Sequence, residues 1–486
     1  MLIILTLLVP LLGGAAMSFL RFQSGKARAI YVESVVCLTS VMVLSLLLTR
    51  TQETLVLYHL IDKLPLAFRL DGPACLFAGL VALLWPIASL YAFEYMKHEE
   101  RENSFLSWYT MSYAATLAVA FSANLFTLYV FYECLTLVTL PLVIHKKDAM
   151  SIRAGRKYLT YSITGAALAF IALVAVFFVS GSTDFTLGGV LTSELTSGQE
   201  ALLLSVFLLA FVGFGTKAAV FPMHAWLPAA SVAPTPVTAL LHAVAVVKAG
   251  AFACIRLVYY AFGTEILRGT WAQYTVMCLA VITLVFGSAM SLKQTHFKWR
   301  LAYSTVSNLS YILFACALMT PAGMVAAWVH LIVHSVVKIM AFFCAGSVLH
   351  YAHREYVHEL EGLGQRMPLT FAAFTVAACA LTGVPPFNGF VSKWYIALAA
   401  TGEGSVWAVL GFVGLLISAL LTAIYMFQVV IKAWFPAKDA PAISEGSAHE
   451  AGPMMTVPIL ILAALCILMG LFPDGLLSLI REAVML

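Results

Sequence analysis

Glu133, Lys217, Lys248, His330, His334, Lys338 and Lys393 are ionisable residues that fall inside the apolar runs of this chain. At bilayer depth an ionisable side chain marks an ion or proton pathway by default. Buried histidine and lysine both exchange protons, so the chemistry these types offer together is proton transfer through a membrane. No glycine-rich phosphate loop occurs in a strand–helix context, which leaves nucleotide hydrolysis and dinucleotide binding unsupported.

Spacing sharpens the reading. Counted from Asn124, Glu133 lies about 14 Å into its span, near the middle of a hydrocarbon layer roughly 30 Å thick. It is either a structural carboxylate bonded to Thr136 or Thr139, or the ionisable partner of a buried lysine. Lys217 opens the stretch KAAVFPMHAWLPAASVAPTPVTALLHAVAVVK, which ends at Lys248 and holds prolines at 222, 228, 234 and 236. Each proline removes a backbone donor, so helix cannot run unbroken through Pro222 or from Pro228 to Pro236. Irregular backbone at membrane depth needs protein or an internal water cavity to satisfy it. Lys217 is expected about one and a half turns before the Pro222 break, with its ammonium on freed carbonyls. Lys248 is expected near the midplane. His224 is a candidate cap at the break. His242 lies about 600° of helix before Lys248, off its face, and is open between packing and relay.

His330, His334 and Lys338 follow at intervals of four, which puts successive members about 40° apart on one helical face spanning about 12 Å. Two histidines so spaced also suit a metal, but no carboxylate or cysteine accompanies them, and no metal site is assigned. The run LTGVPPFNGFVSKW then breaks a second span at Gly383, Pro385, Pro386 and Gly389, with Lys393 following. Two interrupted helices in corresponding halves point to inverted repeats.

The elements that must hold these residues are membrane helices. The chain has 486 residues, 62% hydrophobic and 10% charged, against roughly 25% charged in soluble domains, and its mean hydropathy is +0.96. Hydropathy and loop breaks place about fourteen spans, near 2–20, 29–48, 72–96, 107–122, 124–144, 158–180, 201–226, 236–260, 271–291, 300–318, 322–349, 369–400, 406–432 and 454–480. The first is not expected to be a cleaved signal. Pro86 is a packing kink, and Glu33 and Glu94 are expected at solvated headgroup level. The organisation expected is an N-terminal three-helix segment (1–106), a first repeat (107–260, broken near 217–236), a second (271–432, broken near 383–393) and a C-terminal helix (433–486).

With the N-terminus outside, inward loops carry 17 lysines and arginines, among them Lys146, Lys147, Arg153, Arg156, Lys157 and Lys438, and outward segments 5, among them Arg50 and Arg69. That asymmetry predicts both termini outside. The net charge of +4 is therefore a topology signal, with no basic soluble domain for nucleic acid. The nine cysteines lie in or beside apolar runs without a C-x-x-C pair and read as small buried hydrophobes, not disulfides or a cluster.

The motifs F-P-M-H-A-W-L-P, S-V-A-P-T-P-V-T-A-L-L-H, V-K-A-G, A-Y-S-T-V-S-N-L-S-Y-I (302–312) and G-V-P-P-F-N-G-F-V-S-K-W, in that order, resemble the antiporter-like subunits of respiratory complex I, Mrp-type sodium/proton antiporters and membrane-bound hydrogenase complexes. The resemblance covers nearly the whole chain. It implies an all-α polytopic membrane protein of about fourteen helices, with two inverted five-helix repeats, broken helices seven and twelve, and a central hydrophilic axis. By motif, Glu133 matches the family's fifth-span glutamate, Lys217 and Lys248 its seventh- and eighth-span lysines, and Lys393 its twelfth-span exit residue, where some members have glutamate. The eighth-span motif is most similar to the largest complex I member and its Mrp counterpart, yet no long lateral helix is read here.

Burial disfavours the charged form of a lysine and a nearby carboxylate restores it. If Glu133 approaches Lys217, the lysine holds its proton; on separation the proton moves toward Lys248, the His330–His334–Lys338 face and Lys393. A two-unit change in proton affinity is about 2.7 kcal/mol, comparable to the roughly 2.3 kcal/mol for one charge crossing 100 mV. Three functions stay open: the proton-translocating subunit of a redox-driven complex, a subunit of an Mrp-type cation/proton antiporter, and a solute permease or structural subunit. The chain itself is expected to hold no cofactor. Iron–sulfur, flavin or nickel–iron centres would belong to peripheral redox partners, beside other membrane subunits, in a prokaryotic inner membrane that carries H+ or Na+.

Overall fold

A computed structural model describes residues 1–49, 53–61, 63–97, 99–437 and 448–485. Arg50 and Lys438, two of the charges counted for topology, lie outside the described residues. Helices dominate, as the composition requires. Numbering the principal ones in chain order, they are α1 (Leu2–Ala16), α2 (Gly25–Thr49), α3 (Gly72–Met96), α4 (Glu102–Phe121), α5 (Leu125–Val143), α6 (Ala149–Ser180), α7 (Glu200–Gly215), α8 (Thr235–Ala243), α9 (Val246–Arg256), α10 (Trp271–Lys293), α11 (Phe297–Ala317), α12 (Pro321–Ala352), α13 (Pro368–Thr382), α14 (Asn388–Glu403), α15 (Val406–Trp434), α16 (Pro453–Leu471) and α17 (Asp474–Met485). A π-helical turn, Leu257–Phe262, extends α9. Among the described residues nine helical stretches are long and apolar enough to cross a bilayer, and α1, α7 and α13 are shorter apolar helices.

Local chemistry sets the boundaries. Asp71, Asn124, Asp148, Thr320 and Ser405 each accept a backbone N–H in the first turn of α3, α5, α6, α12 and α15, which satisfies donors that the helix leaves free. Pro73 and Pro321 occupy first-turn positions where a missing N–H costs nothing.

Burial locates the centre. The apolar windows of Thr235–Phe262 and Pro321–Ala352 are 100% buried, against 33% for α2 and for α15. Such complete burial places α8, α9 and α12, together with the almost wholly buried α11, at the centre of the bundle.

Several boundaries differ from expectation. The seventh span stops at Gly215 instead of reaching 226, so residues 216–225 are irregular and Lys217 lies within the break, not before it. The eighth is interrupted at 244–245, where no proline or glycine announces it. The fourteenth ends at Leu471, and α17 turns away after 472–473. The stretch after α2 holds an antiparallel hairpin, β1 (Leu55–Ile61) and β2 (Leu64–Phe68). The Ala67 N–H donates to Thr127 Oγ1 at 2.9 Å and Asn124 Nδ2 donates to the Pro65 carbonyl at 2.9 Å, which seats it on the start of α5. Glu33 takes the Ser89 hydroxyl and faces Cys37 Sγ at 3.4 Å. Glu94 binds Lys97 at 2.6 Å and the Tyr351 hydroxyl at 3.2 Å.

Candidate functional site

The site begins at the break after α7. Val220 N–H returns to the Gly215 carbonyl at 3.0 Å, and Ala219 takes a left-handed conformation. Trp226, on the short helix Trp226–Ala230, donates its indole N–H to the freed Thr216 carbonyl at 2.7 Å, and Thr283 Oγ1 accepts the Phe221 N–H at 2.9 Å. The irregular backbone is thus satisfied by protein. Lys217 leaves this turn fully buried. Its ammonium lies 3.4 Å over the Tyr132 ring, donates to the Tyr132 carbonyl and pairs with Glu133 Oε1 at 3.6 Å. Glu133 therefore faces the lysine. The Thr139 hydroxyl donates to Leu135 O at 2.7 Å and sits 2.8 Å from the Tyr158 hydroxyl instead. The carbonyl that Lys217 takes belongs to α5, not to its own broken helix.

Gly250 brings the next lysine close. A Cβ at Gly250 would stand 2.9 Å from Lys217 Cβ and 2.5 Å from Ala218 N, so only glycine lets α9 lie against the break. Two residues earlier on α9, Lys248 Nζ meets His334 Nδ1 of α12 at 2.5 Å. Nε2 of His334 has no hydrogen-bond partner among the described residues. The His334 ring stacks on His330 at 5.9 Å between centroids.

His330 reaches the second break. Its Nδ1 lies 3.0 Å from Ser392 Oγ, and its ring stacks on Tyr311 at 5.2 Å. Lys393, adjacent to Ser392, stands 5.2 Å from the centroid of the same Tyr311 ring. It donates to the Leu381 and Thr382 carbonyls at 2.6 and 3.0 Å, at the end of α13 where intrahelical partners stop. Gly383 (φ +93°) allows the turn, and a Cβ there would meet Lys393 Cδ at 3.0 Å.

Lys338 branches off. Its ammonium donates to Ser304 Oγ at 2.7 Å, which also accepts the Tyr425 hydroxyl at 2.8 Å. The three residues expected on one face of α12 thus reach three different helices: α9, α14 and α11. Among the described residues no group of three or more His, Cys, Asp or Glu could hold a metal, and one nitrogen of His334 is already engaged by Lys248.

The two remaining histidines stand apart from this series. His242 Nε2 is 3.3 Å from Ser231 Oγ, and its ring packs on Phe342 at 4.9 Å. His224 stacks on Phe221 and meets the edge of Phe286 at 4.8 Å. Sequence reasoning missed Arg256, which is fully buried and binds Asp71 at 2.8 and 2.5 Å through both terminal nitrogens, tying α9 to the start of α3. The signal was present: an arginine inside an apolar run, and an aspartate directly before Gly72-Pro73. Lys298, near the start of α11, is also buried and donates to the Ala233 carbonyl at 2.8 Å.

Fold and site together define an antiporter-like membrane subunit. The profile of the family described as NADH:quinone oxidoreductase/Mrp antiporter, TM, matches residues 122–422, and the chain belongs to that family. It is 32% identical over 412 residues to NADH-quinone oxidoreductase subunit N of Desulforudis audaxviator, covering 82% of this chain and 80% of the relative. Against a probable K(+)/H(+) antiporter subunit of Rhizobium meliloti it is 32% identical over 430 residues, 86% of this chain but 42% of that protein. Hydrogenase-4 component B of Escherichia coli is 31% identical over 429 residues, 84% of this chain and 62% of that protein. The chain thus spans less than two thirds of several relatives it matches.

Two solved structures share the fold. A chain of the Mrp complex from a Dietzia species superposes with a TM-score of 0.86 at 20% identity, over 99% of this chain and 96% of that one. A chain of the membrane-bound sulfane sulfur reductase, an archaeal respiratory membrane complex, gives 0.84 at 23% identity, over 100% and 96%.

Proposed function

We propose that this chain is the proton-translocating subunit of a multisubunit, redox-driven ion pump, of complex I or hydrogenase type. The observation that carries the reading is two groups of side chains along the axis: the Glu133–Lys217 pair at the first break, and Lys248 bonded to His334, with His330 stacked beside it and reaching Ser392–Lys393 at the second. In this mechanism Glu133 holds the proton on Lys217 while the pair is closed. When the carboxylate withdraws, the lysine loses the charge that offsets its desolvation and releases the proton toward Lys248. His334 accepts from Lys248 at one nitrogen and gives up a proton at the other, which is how an imidazole passes charge. His330 and Ser392 then hand it to Lys393. Lys338 belongs to this route as a branch from the same face of α12 to Ser304, and His242 and His224, which stand apart from the series, are secondary candidates.

Two inverted five-helix repeats, related by the breaks after α7 and α13, give the two halves of the path. Both termini lie on the outer side of a prokaryotic cytoplasmic membrane, in keeping with the basic residues between α5 and α6. The chain holds no cofactor of its own, and redox centres belong to peripheral partners alongside homologous membrane subunits. A second reading, a subunit of an Mrp-type Na+/H+ antiporter, is supported by the antiporter relative and by the likeness to the Mrp chain. Iron–sulfur, flavin or nickel–iron partners on co-purification select the first reading; small membrane subunits alone select the second.

The route is tested in vesicles reconstituted with the assembled complex. Lys217→Ala and Glu133→Ala each abolish proton translocation and leave assembly intact. Normal pumping by both variants refutes the route.

A further inference from the structure

The terminal helix α17 is amphipathic: Leu477, Ile480 and Ala483 are buried, while Ser478, Leu479 and Arg481 are exposed. It packs on α3 and α12. Arg481 donates to the Tyr395 hydroxyl of α14 at 3.4 Å, and its guanidinium stands 5.9 Å from that ring's centroid. Among the described residues no carboxylate pairs with it. Beside these two groups lies a cavity of about 360 Å³, walled by Pro321 and Val325 of α12, Leu398 of α14 and Val484 of α17. No acidic residue lines it, and Leu398 is 49% exposed, so the slot opens to the periphery of the bundle. Pro321 begins α12 and Leu398 is near the end of α14 at Glu403. The slot therefore starts within roughly 7 Å of the helix ends, the depth of the headgroup–acyl boundary, where amphipathic helices lie about 5–10 Å deep.

We propose that this slot binds an anionic phospholipid, with the phosphate on Arg481 and the Tyr395 hydroxyl and one acyl chain against Val325 and Leu398. A single guanidinium above an apolar slot at that depth matches a molecule charged at one end and apolar along the rest, and guanidinium is the side chain best shaped for phosphate oxygens. The site is separate from the proton route and does not depend on it.

The test uses the purified full chain in detergent, titrated with phosphatidylglycerol or phosphatidylcholine and read by native mass spectrometry. Wild type retains phosphatidylglycerol preferentially. Arg481→Gln weakens that retention about fivefold, the effect of one cation near a charged headgroup, while Arg481→Lys keeps most of it. Leu398→Trp, which fills the slot and spares Arg481, also loses retention, and inorganic phosphate does not displace the lipid. A photo-crosslinking residue at Val325 captures phospholipid in native membranes. Equal retention of both lipids, an Arg481→Gln variant that binds as wild type, displacement by inorganic phosphate, or capture of a polypeptide at Val325 would each overturn the assignment.

Discussion

The two helix breaks use the same parts and solve different problems. At the first, Lys217 turns away from its own broken helix and takes a carbonyl and a carboxylate from α5. At the second, Lys393 sits on Leu381 and Thr382, carbonyls that the break itself frees. One cation is shared between a backbone carbonyl and a side chain that can swing; the other depends wholly on backbone and on the negative end of a half-helix, which cannot. Glu133 supports this contrast, since its side chain is 26% exposed against 1% for Lys217, leaving the acid room that the lysine lacks. On the proposed route, the first break changes its hold on a proton and the second keeps a constant environment for one.

The largest effect that breaks or confirms this contrast comes from Lys393→Arg. Guanidinium keeps the charge and can still reach the two carbonyls, but it does not deprotonate. If Lys393 exchanges protons, flux in reconstituted vesicles falls by more than about a hundredfold, equivalent to about 2.7 kcal/mol, with assembly and unfolding midpoint preserved. Flux within twofold of wild type would make Lys393 a fixed positive charge and end its role as a relay.

A smaller effect is expected from Gly383→Ala. Its φ of +93° disfavours a side chain, and a methyl would stand 3.0 Å from Lys393 Cδ, so the substitution costs about 1–2 kcal/mol in backbone conformation and displaces the lysine on its carbonyls. Flux drops several-fold in the vesicle assay and the unfolding midpoint falls with it. An unchanged flux alongside a lowered midpoint would mean that the position of the ammonium is not what sets the rate.

How much of this contrast the sequence reveals depends on the kind of signal. Charges in apolar runs announce themselves: Glu133 pairs with Lys217, Lys248 with His334, His334 stacks on His330, and Lys393 adjoins the Ser392 that His330 meets. The breaks are legible because proline and glycine act locally: α13 ends at Thr382, directly before Gly383. What is not legible is set by tertiary partners. The interruption at 244–245 has no local cause in Ala243–Val244–Ala245, and the early stop at Gly215 relies on Trp226 and Thr283 reaching back from elsewhere. Helical spacing correctly put His330, His334 and Lys338 on neighbouring positions, but periodicity does not say which helix each will meet. Arg256 stands in an apolar run and is legible as a buried charge, but its pairing is not, because its partner, Asp71, is 185 residues away.

The smallest effect on transport, and the one that isolates structure from chemistry at the first break, is expected from Trp226→Phe. The ring still packs against Tyr158, whose centroid is 5.1 Å away, so little apolar contact is lost. What disappears is the indole donor to the Thr216 carbonyl. A buried carbonyl left unpaired costs about 1–3 kcal/mol, which appears as a lower unfolding midpoint of the purified chain. Lys217 is held by α5 rather than by its own turn, so its pairing with Glu133 survives and flux stays within about twofold of wild type, a barrier change below about 0.5 kcal/mol. A large loss of flux in this variant would show that the turn, and not the carboxylate, governs Lys217, and the two breaks would then be variants of one backbone device.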